Sequence, residues 1–136
     1  MQLFLSLYSI ANLGYGGRLI VWLAWERKQR KMEEQIEMLG RAFVDHYYNL
    51  FDNDRASLSS LYQPDSMLTF EGHKILGADN ISSKLNQLPF DQCKHVISTI
   101  DAQPSSSTGG IVVFVSGSLQ LSGEEHPLRF SQVLFN

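Results

Sequence analysis

The hydrophobic period of this chain is helical over residues 33–51 and two near the other end, and that contrast limits the possible folds more than any other feature. Ile36, Leu39, Phe43, Tyr47, Leu50 and Phe51 recur mostly three or four residues apart. That spacing predicts one apolar face of a long helix over residues 33–51. Near the other end the period is two. Residues 111–121 carry Ile111, Val113, Val115, Leu119 and Leu121 on one face, and residues 128–135 start another strand. Helical patterns first and consecutive strands afterwards argue for an α+β fold with an antiparallel sheet.

The middle of the chain fits that order. Asp52-Asn53-Asp54 stops the first helix and caps a second, short one that buries Leu58, Leu61 and Tyr62 and closes at Pro64. Residues 67–70 read as a strand, Glu71-Gly72 as a turn, and residues 75–77 as a brief extended piece. Ile81, Leu85 and Leu88 give a third helix its apolar side, which Pro89 ends. Residues 95–101 read as a strand with Val96, Ser98 and Ile100 on one face and His95, Ile97 and Thr99 on the other. Residues 103–110 form a loop by composition, and Gly123-Glu124 turns the chain. No glycine-rich phosphate loop follows any strand, which argues against nucleotide binding of that kind.

The chain has 136 residues, enough for one domain. Its 8 Phe, 5 Tyr and 2 Trp suffice for a core, and a charged fraction of 18% excludes a disordered chain. The single cysteine, Cys93, excludes an intramolecular disulfide framework and a multi-cysteine zinc module. His46, His73, His95 and His126 form no metal-ligand pair by spacing, so we expect no metal and no cofactor.

Charge is unevenly spread. Arg18, Arg27, Lys28, Arg30 and Lys31 against Glu26 give residues 1–31 a net +4, and the whole chain is −3, leaving −7 on residues 32–136. An acidic body does not bind nucleic acid by phosphate neutralisation. It suits a partner with exposed Lys or Arg. Residues 1–25 are apolar and aromatic, but Gly14, Gly16, Gly17 and Arg18 break the run well short of the ~20 residues a membrane-spanning helix needs. Basic residues follow that run, the reverse of a signal peptide. A membrane anchor, an organelle address and an extension without a stable fold compete here, and the sequence favours the third. We therefore divide the chain into an extension, residues 1–31, and a domain, residues 32–136.

Three stretches carry a resemblance. RAFVDHYYNLFDNDR (residues 41–55), LYQPDSMLTFEG (61–72) and LPFDQCKHVIST (88–99), with GSLQLSGEEHPLRFSQ (117–132) after them, resemble the nuclear transport factor 2 family. The likeness covers about residues 34–132, and the motifs HYYxxFDxxR and LTxEG are specific. It implies a cone of three helices packed on a strongly curved antiparallel sheet, with a hydrophobic cavity at the open end. It implies a non-enzymatic homodimeric carrier of the cytoplasm, nucleus and nuclear pore. Such carriers bind the GDP form of the small GTPase Ran, cross the pore on Phe-x-Phe-Gly nucleoporin repeats, and support protein import into the nucleus.

The resemblance also assigns residues. Glu71, at a strand end before Gly72, becomes the rim carboxylate that pairs with a basic Ran residue. Glu124 and Glu125 become the acidic turn facing Ran, with His126 where a further acid is expected. His95 becomes the residue that orients Glu71. In some family members the first helix starts WEQI, and the tryptophan grips nucleoporin phenylalanines. Here it reads EEQI, with Glu33 in that place, so the anchor for the repeats is unknown. Family members also continue beyond FSQ with the rest of that strand and one more, so the last strand is expected to be missing, leaving dimerisation open. Two other readings remain: a small-molecule isomerase or dehydratase using Asp45, His46, Tyr47, Tyr48 or His95 in the cone, and a non-catalytic dimerisation module.

Overall fold

The structure is a computed structural model that describes residues 15–105 and 109–135. The chain divides into two units, Met1–Glu34 and Gln35–Asn136. One helix, α1 (Tyr15–Asn53), has residues in both. It begins eighteen residues before the expected start at residue 33. Residues 19–31 are rich in Leu, Ala, Arg and Lys, which favour helix, and contain no proline to stop it. The expectation of an unstructured extension over residues 1–14 lies outside the described residues.

In the second unit, α1 buries Val44, Tyr47, Tyr48 and Phe51, with Phe43 and Leu50 flanking. Leu39, expected on this face, is 59% exposed. The buried stripe instead continues upward to Gly40. A Cβ at Gly40 would stand 2.7 Å from the Cβ of Ala102, so only glycine lets the helix lie this close to the strand beneath. Tyr47 belongs to the core, as its place on the apolar stripe predicts.

A 3-10 helix (Arg55–Leu61) follows and buries Leu58. Ser57 completes its start by donating both its N–H and its hydroxyl to Asp54. Strands β1 (Met67–Phe70) and β2 (His73–Leu76) form an antiparallel hairpin. Helix α2 (Ala78–Asn86) buries Ile81 and Leu85 against the same core.

Strands β3 (Cys93–Pro104), β4 (Ile111–Leu121) and β5 (Leu128–Phe135) pair antiparallel in that order. Val113, Val115 and Leu134 face the core. The strand faces expected for residues 95–101 are corrected by a register shift between Ile97 and Thr99. The extra residue lets Ile97 and Ile100 both pack inward, while Val96 stays outside. Gly117 lies opposite this bulge. A Cβ there would stand 2.1 Å from the Val96 carbonyl oxygen, so the kinked strand closes on bare backbone. The expected fold class, helices on an antiparallel sheet, is the one observed. Among the described residues β3 and β5 are the two edges of this sheet.

Candidate functional site

Phe70 pairs with His73, so the β1–β2 hairpin turns on two residues, Glu71 and Gly72. Their φ angles are 48° and 82°. A two-residue hairpin loop with both central φ positive is a type I′ turn, whose preferred residues are Asn, Asp and Gly. Glutamate is a poor choice for the left-handed region. Glu71 is exposed and makes no hydrogen bond or ion pair among the described residues. Neither the turn nor the packing therefore explains why a carboxylate stands there.

Glu124 and Glu125 are also exposed, in the turn between β4 and β5. Gln120 braces this turn by donating its side-chain amide to the Glu124 carbonyl at 2.8 Å. The Ser122 N–H donates to the Gln92 carbonyl at 3.2 Å, and Leu121 pairs with Cys93. The acidic turn thus stands at the sheet end where β3 begins, near the register position of His95.

His95 has no hydrogen bond or ion pair to Glu71 among the described residues. Its Nδ1 lies 2.6 Å from Asp52 Oδ1, and its backbone N–H donates to Asp52 Oδ2 at 2.8 Å. Asp52 comes from the last turn of α1. Both groups are well buried, with side-chain exposures of 6% for His95 and 14% for Asp52. Tyr48, Phe51 and Phe130 surround the imidazole, with ring centroids at 4.5, 4.8 and 5.0 Å. Burial pushes the His95 pKa below its ordinary value, and the Arg55 charge adds to this. The Asp52 carboxylate pulls the other way and does not overcome them. The neutral ring donates Nδ1–H to Asp52, which sets its tautomer.

Arg55 completes the cluster. Its guanidinium lies over Phe51 and Phe90 and donates to the carbonyls of Phe51, Leu85 and Phe90 and to Cys93 Sγ. It ties the end of α1 to the end of α2 and the start of β3. The Cys93 thiol donates to Asp52 Oδ1 at 3.4 Å, and burial pushes its pKa up to about 11. Asp52, Cys93 and His95 come close enough together to share an ion. The Arg55 charge beside the sulfur and the protonated thiol both oppose a cation there.

A second polar group lies deeper in the core. Gln132 of β5 accepts from Tyr48 Oη at 2.7 Å and donates to Tyr47 Oη at 3.2 Å, and Tyr47 Oη also bonds Tyr62 Oη at 2.8 Å. Burial raises the pKa of all three tyrosines. They stay protonated and bridge helix, 3-10 helix and sheet. Asp45 and His46 are exposed on the other side of α1 and do not converge with these hydroxyls.

Asp52 and Arg55 are the residues that sequence reasoning passed over, Asp52 as a helix stop. Both lie inside the motif FDxxR, and the histidine they support lies in KHVIST, 40 residues or more further on.

This architecture defines a class: an α+β domain whose helices cover one face of an antiparallel sheet, with a polar cluster at one sheet end. A solved nuclear transport factor 2 from Cryptosporidium parvum superimposes with a TM-score of 0.68 at 41% identity, over 73% of this chain and 78% of that one. Nuclear transport factor 2B of Arabidopsis thaliana is 59% identical over 97 residues, which is 71% of this chain and 77% of the relative. Nuclear transport factor 2 of Saccharomyces cerevisiae is 45% identical over 102 residues, 75% of this chain and 82% of the relative. The nuclear transport factor 2 domain model matches residues 39–135. The chain belongs to the nuclear transport factor 2 family. Its curated relatives carry the name of a nuclear transport factor.

Proposed function

We propose that this chain is a non-enzymatic nuclear import carrier. It binds Ran in its GDP form and Phe-x-Phe-Gly nucleoporins at the nuclear pore, and so supports protein import into the nucleus. Glu71, Glu124 and Glu125 meet basic residues of Ran, while His95 acts at a distance by bracing the sheet end that carries the acidic turn.

The observation that carries this reading is Glu71. A glutamate occupies a left-handed turn position that Gly or Asn fills at lower cost, and it makes no hydrogen bond or ion pair among the described residues. Strain kept where no internal partner gains from it points to an external one. The net −7 on residues 32–136 works in the same direction, since an acidic surface raises the encounter rate with a basic partner.

A homodimer is the assembled form this reading needs. Val96, Phe114, Val133 and Phe135 are exposed on the sheet face away from the core, and Phe114 pairs with Val133 in the ladder. Contiguous exposed apolar side chains of this kind suit a second copy. The enzyme reading lacks convergence, because Asp45 and His46 lie apart from the buried tyrosines and His95 is already occupied by Asp52.

Calorimetric titration with both nucleotide forms of Ran tests the proposal. Binding of the GDP form alone is expected, with no small-molecule turnover. Equal affinity for the two forms overturns it.

A further inference from the structure

Leu19, Ile20, Val21, Trp22, Leu23 and Trp25 are all exposed along one stretch of α1, with both indoles at 52%. The next turns of the same helix carry Arg27, Lys28, Arg30 and Lys31 against the single acid Glu26. Along the axis the chemistry therefore runs from apolar, through two indoles, to cationic, and Arg18 stands at the other end of the apolar length.

Exposed apolar surface of this extent marks a contact site. The distribution of side chains decides with what. A partner helix or a protein groove takes a single stripe of apolar positions. Here residues 19–25 are apolar all round the helix. Their length is about 10 Å at ~1.5 Å per residue. That is far below the ~30 Å hydrocarbon thickness of a bilayer. Among the described residues no helix is long and apolar enough to cross a membrane. Indoles favour the headgroup level, and Lys and Arg favour anionic headgroups while burying their stems.

We propose that residues 18–31 dock reversibly on the surface of an anionic membrane. Residues 19–25 enter the boundary between headgroups and acyl chains. Arg18 at one end, and Arg27, Lys28, Arg30 and Lys31 at the other, hold the helix ends among the anionic headgroups. The interaction does not depend on the carrier reading, because Glu71 and the acidic turn take no part in it.

Trp22 and Trp25 are the only tryptophans of the chain, so tryptophan emission, excited where tyrosine does not absorb, reports on this segment alone. The full chain is titrated with vesicles of phosphatidylcholine and with vesicles that also contain phosphatidylserine. A blue shift and co-sedimentation are expected with the mixed vesicles, weakening as salt is raised. Alkaline carbonate should release the bound chain. Each surface cation is worth about fivefold in affinity, so the combined variant R27Q/K28Q/R30Q/K31Q should lose up to several hundredfold. The proposal is overturned by unshifted emission with the mixed vesicles, by equal binding of the charge variant, or by retention through carbonate, which would mean a span. Emission already blue-shifted in buffer and reversed by dilution would assign the segment to a second copy of the chain. A shift produced by an RNA homopolymer but not by vesicles would assign it to nucleic acid. Either result also overturns the proposal.

Discussion

Replacing Glu71 separates what the turn needs from what a partner needs. Two variants are informative together. Glu71→Asn removes the charge and supplies a residue that tolerates positive φ; Glu71→Lys reverses the charge and keeps a side chain equally unsuited to the turn. Glu71 is exposed and makes no hydrogen bond or ion pair among the described residues, so neither change breaks one there. The left-handed region costs an ordinary residue roughly 1–2 kcal/mol. Glu71→Asn recovers part of that and should leave stability unchanged or raised by up to about 1 kcal/mol. Glu71→Lys should stay within about 0.5 kcal/mol of the parent, as surface changes usually do. Binding should behave oppositely. An exposed rim ion pair is worth only about 0–1 kcal/mol. A pair desolvated by the partner costs ~2–5 kcal/mol when one member is lost. The strained turn argues for the second case, which means at least a 30-fold loss at ~1.4 kcal/mol per tenfold. The assay is calorimetric titration with Ran in its GDP form, alongside thermal unfolding, once the parent chain has been shown to bind. A Glu71→Lys protein that binds within about twofold of the parent, roughly 0.4 kcal/mol, would remove Glu71 from the interface. A Glu71→Asn protein clearly less stable than the parent would show that the carboxylate serves the fold.

Three further outcomes follow from the interior. His95 is held neutral with its pKa below the ordinary ~6.5, so the unfolded chain binds its proton first; its contribution to stability is whole above ~6.5 and is lost as pH falls through the depressed folded value. Melting temperatures across that window should fall more steeply for the parent than for His95→Gln, and parallel curves would contradict the assignment. With its pKa near 11, Cys93 should react with a disulfide reagent at pH 8 about tenfold more slowly than in the urea-unfolded chain, the smaller thiolate fraction being partly offset by the greater nucleophilicity of that thiolate; equal rates would show that the thiol is not shielded. Gly117→Ala should destabilise by at least ~2 kcal/mol in denaturant titration, because the Val96 backbone has no room to yield, and a loss under ~0.5 kcal/mol would mean that the bulge relaxes.

The order of elements is local information, carried by the residues of each segment. Periodicity over a dozen residues separates the helix carrying Tyr47 from the strand carrying Val113 and Val115. The Glu71-Gly72 pair announces its own turn. Motifs such as LTxEG made the family legible before any coordinate. The contacts of the site depend instead on register between distant segments. Nothing near residue 95 says that His95 meets Asp52, 43 positions earlier, since that pairing is set by how α1 lies across β3. The inward placement of both Ile97 and Ile100 needs a bulge, which exists only relative to Gly117 on the neighbouring strand. Gly40 in the buried stripe is the same case: its value is the absence of a Cβ against Ala102, and an absent side chain leaves no mark in a hydrophobic pattern. Periodicity records where side chains point along one segment; which side chain they meet is fixed when the segments pack.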